Sequence, residues 1–181
     1  MTEHEIEQGC RKGDNKARKA LYEMFGGIML GLIMRYVNDN EEAKDLLQDG
    51  FIQVFDKFGK FTWRGEGSLR AWLSRLFINE SLLYLRKSKT MSDYITIEQE
   101  AEEIPDEEDV SNISEQELMG MISRLPVGYR TVFNMYVIDG YSHKKIGKAL
   151  NISESTSASQ FLRAKRLLAK EINNYLKIQE K

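Results

Sequence analysis

Cysteine and histidine are almost absent from this chain, whose 181 residues include only Cys10, His4 and His143 from those two types. A single cysteine excludes an internal disulfide framework, and so few sulfur and imidazole ligands argue against a zinc site. We therefore expect neither a bound metal nor a cofactor. The composition is typical of a reduced, intracellular compartment.

The sequence also lacks a secretory signal peptide from residue 1 onwards and a long hydrophobic run. The first residues, Met-Thr-Glu-His-Glu, lack the basic start and apolar run of a signal peptide. The longest apolar stretch, residues 28–37, contains Arg35 and is shorter than the roughly 20 residues that a membrane-spanning helix needs. The sequence therefore predicts a cytoplasmic protein that is not embedded in a membrane.

Proline is rare as well, since only Pro105 and Pro126 occur in a chain that is 41% apolar. Residues 41–58 carry apolar or small side chains three and four positions apart, which is the pattern of one buried helix face. Similar spacing recurs through most of the chain. We predict an all-α protein of two small helical domains, residues 1–89 and 114–181, joined by an acidic flexible linker, residues 90–113.

Charge is nearly balanced over the whole chain but strongly segregated along it. The net charge is −2, yet residues 57–89 carry 8 basic and 2 acidic side chains, and residues 124–181 carry 11 basic and 4 acidic ones. Residues 90–123 hold 11 acids and no lysine or arginine. Because cationic side chains replace the counterions of phosphates, the two basic segments are candidate nucleic-acid-binding surfaces.

The second basic segment contains the pattern of a helix-turn-helix. Ser142 can cap a short helix over residues 143–150, Asn151 can adopt the left-handed conformation that ends it, and Ser153 can cap a longer basic helix. One face of that second helix is polar and basic, as major-groove binding requires. The candidate DNA-contacting residues are Thr156, Ser159, Gln160, Arg163 and Arg166.

The first basic segment combines aromatic and cationic residues around a glycine-bearing loop, residues 60–67, which Ser68 follows as a candidate helix cap. Bases of single-stranded DNA stack on such aromatic rings with roughly 1–3 kcal/mol each. The rings of Phe61 and Trp63 can equally pack beneath their own loop, and composition leaves both possibilities open. The candidate contacts are Phe61, Trp63, Arg64, Ser68, Arg75, Asn79 and Arg86.

Residues 1–56 carry 7 basic and 11 acidic side chains, so this segment is too acidic to lie along DNA. On the helix predicted over residues 41–58, four polar residues lie off the apolar stripe. They form either a solvated face or a docking surface for a protein with a basic surface. These residues are Asp45, Gln48, Asp49 and Asp56.

Three ordered segments resemble bacterial RNA polymerase sigma factors. Residues 41–51, Glu-Glu-Ala-Lys-Asp-Leu-Leu-Gln-Asp-Gly-Phe, resemble the family's core-binding helix. Residues 63–73, Trp-Arg-Gly-Glu-Gly-Ser-Leu-Arg-Ala-Trp-Leu, resemble its promoter-melting region, and residues 125–167 resemble its C-terminal helix-turn-helix. A short chain with two such blocks is similar to the extracytoplasmic-function (ECF) subgroup of the sigma-70-like family.

The resemblance implies a transcription initiation factor that binds core RNA polymerase, directs it to specific promoters and melts the DNA. It assigns Asp45, Gln48, Asp49 and Asp56 to the coiled coil of the polymerase's largest subunit. The segment from Phe61 to Arg86 is assigned to the minus-ten element and the second helix of the helix-turn-helix to the minus-thirty-five element. The implied partners are core polymerase, including its flap region, promoter DNA and an anti-sigma factor. No catalytic residue and no small-molecule substrate are implied.

Several positions depart from the residues usual in the family. Ala158 stands where lysine or arginine is frequent, Leu83 where aspartate is usual, and Asn151 and Ser155 where glycine is common. Loss of the basic residue at position 158 implies a weaker minus-thirty-five contact.

Two alternative functions are a stand-alone helix-turn-helix regulator, whose N-terminal block serves dimerisation or ligand binding, and a nuclease with magnesium on Asp45 and Asp49. Reconstitution with core polymerase distinguishes all three functions, because only a sigma factor yields promoter-specific transcripts.

Overall fold

The computed structural model describes residues 1–88 and 113–179, in which all regular structure is helical, as the sequence predicted. The chain divides into two compact units, Met1–Leu85 and Arg86–Lys181. The predicted linker, residues 90–113, falls outside the described residues except for Ile113. That side chain packs against the core of the second unit, so it belongs with the folded part of the chain rather than with a linker.

The first unit contains four α-helices: α1 (Glu3–Arg11), α2 (Asn15–Val37), α3 (Asn40–Lys57) and α4 (Ser68–Lys87), with a 3₁₀ turn at Phe58–Lys60. Local side chains set the helix starts. The Asp39 carboxylate accepts hydrogen bonds of 3.0 Å from the amides of Glu41 and Glu42, which fixes the first turn of α3. Asn38, with φ of 57°, ends α2 in the left-handed conformation.

The core of the first unit confirms the apolar stripe predicted for α3. The stripe buries Ala43, Leu47, Gly50, Phe51 and Val54. The Phe51 ring lies 4.9 Å from that of Tyr22 and 5.3 Å from that of Phe77, measured between ring centroids. These offset rings join α2, α3 and α4 in one aromatic cluster.

Helix α2 is longer than the apolar run that the sequence suggested. Among the described residues it is the helix whose length, 23 residues, and composition would suit a membrane crossing. One side of the helix is instead enclosed by protein, because α2 packs against both α1 and α3. Its buried residues are Ala17, Leu21, Phe25, Gly26, Met29, Leu32, Ile33 and Tyr36. We therefore interpret α2 as the central core helix of this unit.

The second unit contains α5 (Glu115–Arg124), α6 (Val127–Phe133), a π-helical turn (Asn134–Ile138), α7 (His143–Leu150) and α8 (Glu154–Gln179). Ser114 and Glu117 cap α5 reciprocally, and Pro126 stands immediately before α6. Helix α8 packs on α5, α6 and α7. The core residues are Met121, Ile122, Leu125, Tyr129, Phe133, Ala164, Leu168 and Ile172.

The π-helical turn corrects one detail of the sequence interpretation. Tyr136 and Val137 follow Val132 and Phe133 at helical spacing, and the pattern predicts that all four face the core. A π turn widens the helix and changes the phase of the residues within it. Tyr136 and Val137 are therefore 40% and 52% exposed, while Met135 is fully buried.

Candidate nucleic-acid and protein interfaces

The C-terminal unit contains the predicted helix-turn-helix, formed by α7 and α8. Ser142 Oγ accepts a hydrogen bond of 3.3 Å from the Lys145 amide at the start of α7. Asn151 ends α7 with φ of 57° and ψ of 45°, the left-handed conformation expected of it.

Gly147 is required for the turn between the two helices. A Cβ at this position would lie 2.7 Å from the Ile152 carbonyl oxygen, well inside normal contact distance. The Ile152 amide donates to the Gly147 carbonyl over 3.0 Å, so the chain after α7 folds directly back over this glycine.

The outward face of α8 only partly coincides with the predicted face. Ser155, Ala158, Ser159, Leu162 and Lys165 are exposed, and the Arg163 and Arg166 side chains are half-buried beside them. Sequence reasoning missed Leu162 and Lys165. Their signal was helical spacing, since Leu162 follows Ala158 by four residues and Lys165 follows Leu162 by three, which places them on the same face.

Gln160 and Thr156 are not free to contact bases in this conformation. Gln160 is only 5% exposed, because successive helical residues are 100° apart and it lies between the buried Ser157 and Ala164. The Thr156 hydroxyl lies 2.7 Å from Ser153 Oγ, which also accepts the Thr156 amide hydrogen over 2.9 Å. The structure therefore corrects Gln160 from a candidate base contact to an interior residue, and Thr156 belongs to the cap of α8.

His143 joins the two helices of the motif. Its ring stacks on Tyr136 with centroids 4.3 Å apart and an interplanar angle of 9°, and its Nδ1 lies 3.0 Å from Ser157 Oγ. The structure gives His143 a packing role between the π turn, α7 and α8.

In the first unit, the side chain of Ser68 in α4 forms hydrogen bonds with the backbone of the glycine-bearing loop. The Ser68 hydroxyl donates to the Gly65 carbonyl over 2.6 Å and accepts from the Arg64 amide over 3.2 Å. We expected Ser68 to precede α4 and to cap it. Ser68 is instead the first residue of α4, and its hydroxyl bonds to backbone groups of the preceding loop. Gly65 and Gly67 have φ of 105° and 81°, which is why glycine occurs at both positions.

A groove of about 320 Å³ lies beside this loop. Its lining residues are Lys60, Phe61, Thr62, Arg64, Ser68, Ala71, Trp72 and Arg75. Three cations surround an aromatic floor, in which the rings of Phe61 and Trp72 have centroids 5.2 Å apart. The volume lies at the lower end of the range for small-molecule pockets, about 300–1,000 Å³. We name this feature the loop groove.

The two loop aromatics have different environments. Phe61 is 5% exposed and packs between Phe58 and Trp72, so its face is not free to stack on a base. This corrects its predicted role to that of groove floor. Trp72 is half-buried and lines the groove. Trp63 is half-buried, and its ring lies 4.9 Å from that of His4 in α1.

Basic and polar residues continue the loop groove along α4. Arg75, Asn79 and Arg86 are all exposed, and their spacing of four and seven residues places them on one face of the helix. Arg64 is also exposed within the loop. The structure thus brings Arg64, Ser68 and Arg75 together at the groove, with Asn79 and Arg86 further along the same helix.

An acidic face lies on α3, formed by Asp45, Gln48, Asp49 and Asp56, all of which are exposed. Ile52 lies in the middle of this face and is 61% exposed. Its spacing from Asp45, Asp49 and Asp56 could have identified it, since it falls off the buried stripe. The α3 face therefore combines an exposed apolar side chain with surrounding carboxylates.

The scarce sulfur and imidazole groups do not assemble into a site. Within residues 1–88 and 113–179, no three of the His, Cys, Asp and Glu side chains are grouped so that they could hold a metal ion. Cys10 is buried in α1, and this burial raises the pKa of its thiol to about 11. A protonated, enclosed thiol is a poor ligand and a poor nucleophile.

A helix-turn-helix in one unit and a cation-lined groove in the other define a two-part helical DNA-binding protein. The family model for sigma-70 region 2 matches residues 21–90, and the model for sigma-70 region 4 matches residues 115–168. The chain belongs to the sigma-70 family of RNA polymerase sigma factors, within the ECF subgroup.

Individual relatives match along nearly the full length. The RNA polymerase sigma-H factor of Pseudomonas aeruginosa is 25% identical over 97% of this chain and 96% of that protein. The ECF RNA polymerase sigma factor SigW of Bacillus subtilis is 26% identical over 96% of this chain and 98% of that protein.

A solved structure shares the fold. The sigma factor RpoE of Bartonella quintana, crystallised with the anti-sigma factor NepR, superposes with a TM-score of 0.52 at 19% identity. The superposition covers 86% of this chain and 96% of that one.

Proposed function

We propose that this sigma factor is a dissociable specificity subunit of RNA polymerase, acting in the cytoplasm without catalytic activity of its own. It binds core polymerase, directs it to promoter DNA and stabilises the melted state. The observation that carries this proposal is the presence, in one chain, of an acidic face and a cation-lined groove in one unit and a helix-turn-helix in the other. We assign residues 1–89 to core binding and the minus-ten element, residues 90–112 to the linker, and residues 113–181 to the minus-thirty-five element.

Reconstitution tests the function as a whole. Addition of the full chain to core polymerase is expected to give promoter-specific transcripts from a genomic promoter library. DNA binding by the chain alone, with no change in the transcripts made by polymerase, would instead support a stand-alone regulator.

The acidic face of α3 is the proposed docking surface for the coiled coil of the largest polymerase subunit. Exposed carboxylates attract a basic partner during encounter, and the central Ile52 supplies apolar area that becomes buried on binding. Asp45→Arg combined with Asp49→Arg is expected to abolish core binding, as measured by fluorescence anisotropy of the labelled chain.

The matched control is Glu23→Arg, which reverses one exposed charge on α2 away from this face. Asp49→Arg alone should weaken core binding more than Glu23→Arg does. Equal core affinity for these two variants would refute the assignment of the docking surface.

The loop groove is the proposed site for an unpaired base of the non-template strand at the minus-ten element. Capture of a flipped base shifts the duplex towards the open state, because the groove binds only that state. Arg64, Arg75 and Lys60 offer phosphate contacts around the aromatic floor.

Trp63 stays a predicted contributor at this element. Trp63→Ala is expected to impair open-complex formation, detected by permanganate reactivity of unpaired thymines, more than initial promoter binding. Equal losses in both measurements would show that the ring is merely packed against the protein.

The outward face of α8 is the proposed reader of the minus-thirty-five element in the major groove. Arg163→Ala should cost about 1–3 kcal/mol at one base position if the guanidinium reads a base. A loss that is uniform across DNA sequences would indicate a phosphate contact instead.

Ala158, exposed at the centre of this face, provides a complementary gain-of-contact test. Ala158→Arg is expected to strengthen duplex binding and to steepen its salt dependence by about one counterion. An unchanged salt dependence would place position 158 away from DNA.

Two further partners follow from the likeness to known sigma factors. The RpoE structure contains an anti-sigma factor, and the CnrH structure, with a TM-score of 0.50 at 17% identity, contains the cytosolic domain of CnrY. We propose that an anti-sigma factor regulates this chain as well, and that the C-terminal unit contacts the polymerase flap region. Co-purification of the tagged chain from its host, followed by mass spectrometry, is expected to recover both core polymerase and a regulatory protein.

A further inference from the structure

Helix α1 contacts the groove-lining loop at its beginning, its middle and its end. The Arg11 guanidinium donates to the Phe61 carbonyl over 2.8 Å. The His4 ring packs against Trp63 at 4.9 Å, and the Glu3 carboxylate accepts the Gly67 amide hydrogen over 3.0 Å. These three side chains project from one side of α1, so a single short helix spans the whole loop.

Helix α1 is itself firmly held in the first unit. Ile6 and Cys10 are buried in the core, and Thr2 forms a reciprocal capping box with Glu5. Arg11 is paired with Glu7 at 2.7 Å, and the Glu7 side chain is only 6% exposed. The helix therefore offers the loop a rigid support rather than a second flexible segment.

The loop depends on such support because it has little regular structure of its own. Between the 3₁₀ turn and α4 it carries two glycines with positive φ. Fixing the backbone of each residue costs about 1–2 kcal/mol of conformational entropy, so an unsupported loop would sample many conformations. Residues Phe61, Thr62 and Arg64 of this loop line the groove, so its conformation decides the shape of the groove.

We propose that Glu3, His4 and Arg11 of α1 are positioning residues that hold the loop groove open in its base-binding shape before DNA arrives. This proposal rests on the proposed function of the groove and extends it to a helix outside the matched sigma-70 region 2, which begins at residue 21. Trp63 then anchors the loop through the ring face that contacts His4. Preorganisation of this kind raises affinity because the ordering entropy is not lost on binding.

The test separates loop conformation from DNA binding. The full chain is labelled with 5-fluorotryptophan, whose two ¹⁹F resonances are assigned with Trp63→Phe, and exchange of the Gly67 amide is followed in the same samples without DNA. Glu3→Ala and His4→Ala are expected to shift or broaden the Trp63 resonance and to accelerate Gly67 exchange. Glu3→Gln and His4→Phe retain an acceptor and a ring, so they should restore wild-type behaviour.

DNA binding is measured with holoenzyme and a single-stranded oligonucleotide selected from a random pool by the wild-type holoenzyme. Loss of one loop contact is expected to reduce affinity about fivefold, the effect of one typical hydrogen bond. Glu5→Gln is the matched control, since it neutralises a first-turn carboxylate that does not touch the loop.

An unchanged Trp63 resonance and Gly67 exchange in both alanine variants would overturn the proposal, whatever the DNA result. A loosened loop with undiminished affinity for the oligonucleotide would also overturn it. Failure of wild-type holoenzyme to select any single strand would refute the groove's proposed function, while the spectroscopic measurements would still decide whether α1 positions the loop.

Discussion

Gly50 lies on α3, the helix with the acidic face, directly against the Phe77 ring of α4, the helix with the loop groove. A Cβ at this position would lie 2.1 Å from Cε1 of Phe77 and 2.8 Å from its Cδ1. Carbon atoms in contact are normally about 3.5–4.0 Å apart, so the ring would have to move by roughly 1.5 Å. Phe77 is fully buried and packs on Phe51, so there is no free volume to receive it.

Gly50→Ala is therefore expected to destabilise the first unit. Overpacking of a filled core costs about 1–3 kcal/mol, and replacing glycine by alanine within a helix returns up to about 1 kcal/mol. The net loss in the free energy of unfolding is expected to be about 1–2 kcal/mol. At this size of unit, each kcal/mol lowers Tm by roughly 4–8 °C.

Tryptophan fluorescence is the appropriate assay, because both tryptophans of the chain, Trp63 and Trp72, lie in the first unit. Urea titration of the full chain then reports that unit alone. The control is Gly27→Ala in α2, where a Cβ would meet nothing within 4 Å, so the helix should gain about 0.5–1 kcal/mol. The two glycine-to-alanine substitutions are therefore expected to change the free energy of unfolding in opposite directions. Stabilisation by Gly50→Ala, similar to that by Gly27→Ala, would refute the close-approach argument.

Three other predictions concern the turn, the thiol and a carboxylate. Asn151→Ala should lower the stability of the helix-turn-helix by about 1 kcal/mol in calorimetry, whereas Asn151→Gly should not, because only the alanine is strained at φ of 57°. Cys10 should react with Ellman's reagent at pH 8 only after urea is added, since its raised pKa keeps the buried thiol protonated; rapid reaction without urea would contradict this. Hydrogen bonds from Ser114 and Tyr175 lower the pKa of Glu117, so they stabilise the fold at neutral pH. This stabilisation is lost as the pH falls through the lowered pKa. Glu117→Gln should therefore reduce the dependence of the free energy of unfolding on pH in the acid range.

Local features of the sequence were sufficient to predict the helices and the helix-turn-helix. Caps such as Asp39 and Ser142, and the left-handed Asn151, act on backbone groups only a few residues away. The buried stripe of α3 likewise follows from a period of 3.6 residues. Residue order alone determines such features, because the interacting groups are neighbours along the chain.

Site residues at the boundary between exposed and buried faces were harder to predict. Gln160 was expected on the outward face of α8, and the structure buries it beside Ser157 and Ala164. The expected burial of Tyr136 was wrong for a related reason, since a π turn changed the phase of its helix and left the ring 40% exposed. A shift of one residue, or 100°, is enough to change the environment of a side chain.

The sequence by itself thus determined the limits of the short helix of the helix-turn-helix, the buried stripe of α3, and which family the chain resembles. Only the tertiary structure decided that Phe61 forms the floor of the loop groove with Trp72, and that α1 supports the loop. Glu3 and Gly67 are 64 positions apart, and Arg11 and Phe61 are 50 apart. No local pattern encodes such pairs, because they exist only once packing of the whole unit brings distant segments together.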